Sequence, residues 1–523
     1  MLYLLLAGYC IFRQSCDPYK LLLSTWQIHS LERAPKINPA ICTPPLCGIF
    51  CPKSVAARRL SFRKEVFHGT DKRTETWHNA LPRLMASLAI PSVIAQLINV
   101  LYNIIDRMYI GHIPKVGPIA LTGVGLTFPI IMLISAFSAF IGAGGAPLAS
   151  IALGKGDKER AEKILGNGVS VLLIFSISLT IIFMIFKRPL LFLFGASDQT
   201  ITYAVNYITI YLMGTIFVQF ALGLNMFISS QGQARTAMLS VLIGAVINII
   251  LDPIFIFVLN MNVQGAALAT IISQAVSAVW VVKFLLSEKS AIRIRRKNLA
   301  IDFSILKNIM ALGISPFIMQ ATESAINIVL NRGLSIYGGD LYVGSMTILQ
   351  SVMQLAVVPI QGFTQGVQPI ISYNFGARKF DRVKKTYRLT ISFTFAVSTI
   401  FCLLTVFCPG MFAGIFTSDP ELLALVKKVM PIFMAGIAIF GIQMGCQTTF
   451  MGLGQAKISL FIALLRKVIL LIPLALILPK FFGVMGIYYA EPISDITAAT
   501  TAFTIFLCVR KKIVSEEALS RLG

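Results

Sequence analysis

Twelve apolar stretches, near 84–110, 118–148, 164–186, 201–228, 236–259, 264–286, 305–336, 342–372, 387–408, 423–450, 458–479 and 484–509, fill most of the chain beyond residue 84. Each can cross about 30 Å of hydrocarbon as a helix rising about 1.5 Å per residue. Lipid gives the backbone no water to bond, so only helices and closed barrels span it. Barrel strands alternate polar and apolar residues over about ten positions, whereas these runs are far longer and continuous. The expectation is an all-α membrane protein with twelve transmembrane helices. A 13% share of charged residues and a mean hydropathy of +0.80 agree with this, since soluble domains carry about 25% charge. A soluble cytosolic enzyme is excluded.

The formal charge of +23 would suggest nucleic acid in a soluble protein. Here apolar runs divide the basic residues among loops, where anionic lipid headgroups are the expected counter-charge. Lys and Arg associated with the ends of helices 2, 4, 6, 8, 10 and 12 number 25, against 8 on the opposite side. The positive-inside rule then makes both termini cytoplasmic. The basic stretch Arg293-Ile-Arg-Arg-Lys297 falls in the cytoplasmic connection between helices 6 and 7.

Residues 1–80 differ from the rest, with Pro35, Pro39, Pro44, Pro45 and Pro52 and eleven basic residues against five acids. They read as a disordered basic extension. The apolar opening Leu2–Phe12 is too short to span a bilayer and lacks a signal peptide's basic n-region. Five of nine cysteines (Cys10, Cys16, Cys42, Cys47, Cys51) sit here, without zinc-type pairing to histidine. Neither a disulfide framework nor a metal site is expected.

The membrane region repeats itself. Gly154-Lys-Gly-Asp-Lys-Glu-Arg160 closes helix 2, and Gly376-Ala-Arg-Lys-Phe-Asp-Arg382 closes helix 8 at an offset of 222. That offset also brings Pro147 onto Pro369, Ser150 onto Ser372 and Gly232-Gln-Ala234 onto Gly454-Gln-Ala456. An offset of 225 aligns Pro91 with Pro316 and Asp106-Arg107 with Asn331-Arg332, and 221 aligns Ser197-Asp198 with Ser418-Asp419. Six helices separate the copies, so both share one topology, related by an axis along the membrane normal, with binding expected between them near mid-membrane. The organisation expected is an extension at 1–80, an N-lobe at 81–286, a connecting loop at 287–304, a C-lobe at 305–510 and a cytoplasmic tail at 511–523.

Five segments carry a resemblance: Leu101-Tyr-Asn-Ile-Ile-Asp-Arg107, Gly142-Ala-Gly-Gly-Ala-Pro147, Asn248-Ile-Ile-Leu-Asp-Pro253, Gln365-Gly-Val-Gln-Pro-Ile-Ile-Ser-Tyr-Asn-Phe-Gly376 and Glu491-Pro-Ile-Ser-Asp495. In their order and spacing the chain from about 84 to 510 resembles the multidrug and toxic compound extrusion (MATE) transporters, and within them the bacterial drug-extruding branch. The resemblance implies twelve helices in two pseudo-symmetric six-helix lobes.

A charge in the membrane interior costs several kcal/mol unless paired or hydrated. Tyr102 and Asp106, like Asn248 and Asp252, are four residues apart and share a helix face. Pro253 has no N–H, so the carbonyl of Ile249 loses its helical donor and adds an oxygen beside that face. Should helices 1 and 5 meet, two carboxylates and several neutral oxygens converge, a cluster able to hold a hard cation or a proton. In the resembling family this is the cation or proton site, and the matching positions are Asp106, Tyr102, Asn248, Asp252 and Thr270. Na⁺ is a candidate at Asp106, Asp252, Asn248 and Thr270. The simpler readings pair Asp106 with Arg107 and let Asp252 cap its helix.

The second half lacks a copy of this cluster, with Asn331 in the place of Asp106 and Leu470 and Leu474 opposite Asn248 and Asp252. Its membrane acids are Glu323, Glu491 and Asp495. These carry either a substrate or coupling role, or pair with Arg332, Arg466 or Lys467. Gly142, Gly144 and Gly145 lack the Gly-Lys-Ser/Thr of a phosphate loop and suit close helix packing. Energy should therefore come from an ion gradient, with no cofactor.

The resemblance thus implies a secondary active multidrug efflux antiporter of the plasma membrane, monomeric, exporting amphiphilic and often cationic organic compounds in exchange for H⁺ or Na⁺. A flippase of a lipid-linked precursor is the alternative within transport. An intramembrane enzyme is the rival from another class, weakened because His29, His68, His78 and His112 all fall outside the helix centres.

Overall fold

Hydrophobicity at helical length produces helices throughout the computed structural model, which describes residues 80–114, 116–417 and 419–520. These belong to one compact unit, Asp71–Gly523. The N-terminal extension, with its cysteines and His29, His68 and His78, lies outside the described residues. Every regular element among the described residues is helical. The membrane spans are α1 (Leu81–Gly111), α2 (Phe128–Gly154), α3 (Lys158–Leu193), α4 (Ile201–Met213 with Thr215–Ser230), α5 (Ala234–Val258) and α6 (Asn262–Leu286). The second six are α7 (Phe303–Gly338), α8 (Leu341–Gly376), α9 (Phe380–Phe407), α10 (Pro420–Gly452), α11 (Ala456–Phe482) and α12 (Met485–Ile513).

Two of the apolar stretches depart from single straight helices. The stretch near 118–148 divides into a short helix, Gly117–Gly125, and α2. α4 bends by 62° between its two pieces. The bend falls at Gly214, where the side chain of Ile271 from α6 occupies the space a β-carbon would need. Irregularity continues as π-turns at Phe220–Leu224 in α4, Ile254–Val258 just past Pro253 in α5, and Leu465–Leu471 in α11. Such turns rotate the side chains that follow and often mark functional sites.

Packing between helices rests on glycine, which lets backbones approach where lipid supplies no hydrophobic drive. Within the first half, the fully buried ring of Phe227 fills the space beside Gly145 and Gly168. Between the halves, Gly144 and Gly313 bring α2 onto α7, with Gly313 against the Phe140 carbonyl; in the related place Gly362 and Gly366 bring α8 onto Val93 and Ala89 of α1. At the ends of α2 and α8, a β-carbon on Gly154 would overlap the Tyr373 carbonyl, and one on Gly376 would overlap the Ile151 carbonyl. Both relationships obey the offset of 222 found in the sequence.

This junction lies where the basic loops gather. The tail returns to it: the short helix Glu516–Ser520 buries Leu519 in the cluster that holds Leu84, Ile151 and Phe375. Lys155 Nζ donates to the Leu519 carbonyl at 3.4 Å, and Arg378 lies 3.8 Å from Glu516. The basic connection between α6 and α7 is likewise pinned. Gln231 Oε1 accepts from Ser290 Oγ and the backbone of Ala291 and Ile292, while Arg295 Nε meets buried Glu162 at 2.7 Å.

Candidate functional site

In the first half α1, α4, α5 and α6 surround a polar interior, with Asp106 and Asp252 in the last third of α1 and α5. Asp106 on α1 is 9% exposed, and Asp252 on α5 is fully buried. Their carboxyl groups lie within hydrogen-bonding reach of each other. Asn248 Nδ2 donates to Asp252 Oδ1 at 3.1 Å from one turn earlier, as the four-residue spacing requires. Three oxygens of this group, Asp106 Oδ1, Asn248 Oδ1 and Asp252 Oδ2, are buried without a hydrogen-bond partner. Buried polar atoms are normally satisfied, so three orphans in one cluster call for an ion, a proton or water.

A small cavity of about 30 Å³ opens beside the cluster, lined among others by Asn99, Tyr102, Gly244, Asn248, Thr270 and Gln274. All five positions singled out in the sequence, Tyr102, Asp106, Asn248, Asp252 and Thr270, are thus brought together. Two members were not singled out. Tyr207 on α4 lies beside Thr270 and close to both acids, and its ring stacks on Tyr211 at 6.4 Å and 16°. Their four-residue spacing was the available signal, but a buried aromatic pair in an apolar run reads equally well as packing. Arg107 does not form a salt bridge with Asp106; its guanidinium lies 5.2 Å over the ring of Phe128.

The acids of the second half have different company. Arg466, on the π-turn of α11, meets Asp495 Oδ1 through Nε at 2.6 Å and Glu491 Oε1 through a terminal nitrogen at 3.2 Å. It lies 4.5 Å over the ring of Phe440, and its carbonyl accepts from Ser494 Oγ at 2.7 Å. Lys467 Nζ meets Glu323 Oε2 at 2.7 Å, the lysine side chain being 7% exposed and the glutamate 48%. Each acid therefore has a cation on α11, which is the pairing weighed from the sequence, with Lys467 rather than Arg332 or Arg466 on Glu323. Asn331 is half-buried in α7. His112 caps the end of α1, its Nδ1 2.7 Å from the Met108 carbonyl.

The chain is similar to Multidrug export protein MepA of Staphylococcus haemolyticus, at 26% identity over 83% of this chain and 95% of that protein. It is equally similar to the protein of the same name from Staphylococcus saprophyticus, at 26% identity over 83% and 95%. Among solved structures, a MATE in complex with MaD3S has 25% identity and a TM-score of 0.78, covering 86% of this chain and all of that one. An outward-facing MATE family transporter of the MOP superfamily has 24% identity and the same TM-score, over 86% of this chain and 99% of that one. The twelve-helix fold is therefore that of the MATE transporters. The MatE family model matches residues 91–254 and again 316–477, once in each half, and the chain belongs to that family.

Proposed function

We propose that this protein is a secondary active efflux transporter that exports amphiphilic, often cationic organic compounds in exchange for inward H⁺ or Na⁺. The observation that carries the coupling half of this reading is the trio of buried, unpartnered oxygens on Asp106, Asn248 and Asp252. Two carboxyl groups in contact within a low-dielectric interior repel unless a proton or a cation lies between them. Tyr102 and Thr270 add neutral oxygens at the rim of the same cavity. Export of drugs is supported by the relatives named as multidrug export proteins.

Binding of a cation at this cluster changes the packing of α1 against α5, and α1 also packs on α8 through Gly362 and Gly366. Charge at the cluster thereby biases the junction between the halves, which rock about a central cleft to alternate access. The basic loop ends face the cytoplasm, with both termini there, in the plasma membrane. The protein acts as a monomer without a cofactor, and binds its substrate rather than transforming it. A flippase of an anionic lipid-linked precursor would call for free cations in the cleft; Arg466 and Lys467 are instead committed to Asp495, Glu491 and Glu323. The same commitment favours a structural role for those three acids over substrate contact or coupling.

Dye efflux from proteoliposomes, with pH and Na⁺ gradients imposed separately, tests this reading. One gradient should drive efflux and the other should not. Equal efflux with neither gradient would overturn the antiport mechanism.

A further inference from the structure

The pairs α5–α6 and α11–α12 are one helical unit in two copies. Gly265 at the start of α6 rests on Phe255 near the end of α5, and Gly486, 221 residues later, rests on Leu478 near the end of α11. At offsets of 221–222, Gly244 corresponds to Arg466, Thr270 to Glu491 and Gln274 to Asp495. In the first half these three positions line the open cavity. In the second half the same three positions hold a guanidinium clasped by two carboxylates, at 2.6 and 3.2 Å, with its face on Phe440.

We infer that the second half is a cation site permanently filled by the chain's own Arg466. The surroundings are those an organic cation would need: two buried carboxylates one turn apart on α12 and an aromatic face. Glu323 carries a third negative charge nearby, already matched by Lys467. A tethered cation cannot leave, so this half does not answer to an ion gradient. Sensing is left to the half that contains Asp106 and Asp252. Only that last step rests on the proposed coupling site; the tethered cation stands without it.

Removing the side chain should turn the filled site into an empty one of the same chemistry. Arg466→Ala leaves Glu491 and Asp495 facing each other without their counter-charge, in a cavity shaped for guanidinium. Purified wild-type protein should melt at the same temperature with or without methylguanidinium at about 10 mM, whereas Arg466→Ala should melt about 5 °C or more lower and recover at least half the loss on its addition. Tetraethylammonium, too large for the cavity, should not rescue. The double variant Arg466→Ala/Asp495→Asn leaves the site empty with one carboxylate, relieves the repulsion and gives a second reading if Arg466→Ala is too unstable to purify; it should respond in the same direction but less.

An Arg466→Ala protein that melts like the wild type, or variants whose melting methylguanidinium does not raise, would overturn the inference. The readout needs no transport, so absence of ion-coupled efflux would sink the proposed function and leave this result standing.

Discussion

Asp106 of α1 and Asp252 of α5 hold their carboxyl groups within hydrogen-bonding reach, each keeping one buried oxygen that meets no partner. Two helices are thus joined by groups whose mutual interaction changes sign with a single charge. Asp106→Asn preserves shape and removes that charge. The variant should fold and insert normally while gradient-driven efflux falls by at least about tenfold, a coupling loss of the usual size. Undiminished efflux by the inserted variant, measured as dye export from proteoliposomes, would remove Asp106 from the coupling role.

Asp252 and Asn331 test the asymmetry of the halves. Asn331 takes the place of Asp106, but Leu470 and Leu474 stand where Asn248 and Asp252 would be, so no oxygen cluster can form around it. Asp252→Ala should abolish ion-dependent thermal stabilisation, and Asn331→Ala should reduce it a few-fold at most, as read by calorimetry with Na⁺ or by melting across pH. The reverse pattern would move the coupling site to the second half.

Twelve helices were legible from apolar length, and a four-residue spacing puts Tyr102 with Asp106 and Asn248 with Asp252 on one face each; that the two faces meet was implied by the family resemblance and not by any local rule. Partnership across helices was less legible. Glu323 had Arg332 on its own helix as well as Arg466 to choose from, and meets Lys467 instead, because consecutive side chains on a helix point about 100° apart and here Arg466 reaches α12 while Lys467 reaches α7. Which face of α11 turns toward which neighbour is a tertiary property that spacing along one helix does not reveal. Tyr207 stayed hidden for a different reason, since nothing in an apolar run distinguishes an aromatic that lines a site from one that fills a core.

The basic connection between the halves should behave as an ordered segment despite its composition. Gln231→Ala deletes the acceptor of three hydrogen bonds to residues 290–292, and Glu162→Ala leaves Arg295 without its buried partner. Limited trypsin digestion should cut both variants within Arg293–Lys297 several-fold faster than wild type, in line with cleavage that tracks the open population. Unchanged cleavage rates would mean the loop is held by other contacts.

Phe227→Ala should be among the costliest single substitutions in the first half. The ring fills the space left by Gly145 and Gly168, and its removal should lose about 3–5 kcal/mol, as large-to-small changes at packed aromatics do. Thermal unfolding in detergent measures this. Gly145→Ala should compete for the same volume, and in the Phe227→Ala background it should be better tolerated than in the wild type.

Gly154→Val should press α2 away from the Tyr373 carbonyl, and Gly376→Val should press α8 away from the Ile151 carbonyl. Overpacking of this kind costs about 1–3 kcal/mol. Both variants should melt lower than wild type and label more readily with a thiol reagent at a cysteine introduced at Ser150, which donates to the Pro369 carbonyl at 3.2 Å across the junction. Melting and labelling identical to wild type would show that the seam has slack.

Because each of these glycines rests on the other copy's backbone, the contact imposes a single demand on two places in the chain. A residue gaining bulk in one copy is opposed by the unchanged partner, so neither copy can drift alone. No such reciprocity binds Gly244 to Arg466 or Thr270 to Glu491, which correspond by symmetry without touching. A duplicated chain under this constraint grows unlike itself at its buried polar clusters while staying alike at its seam, which accounts for a repeat that is readable at Gly154–Arg160 and Gly376–Arg382 and has faded to a mere offset around Asn248 and Leu470.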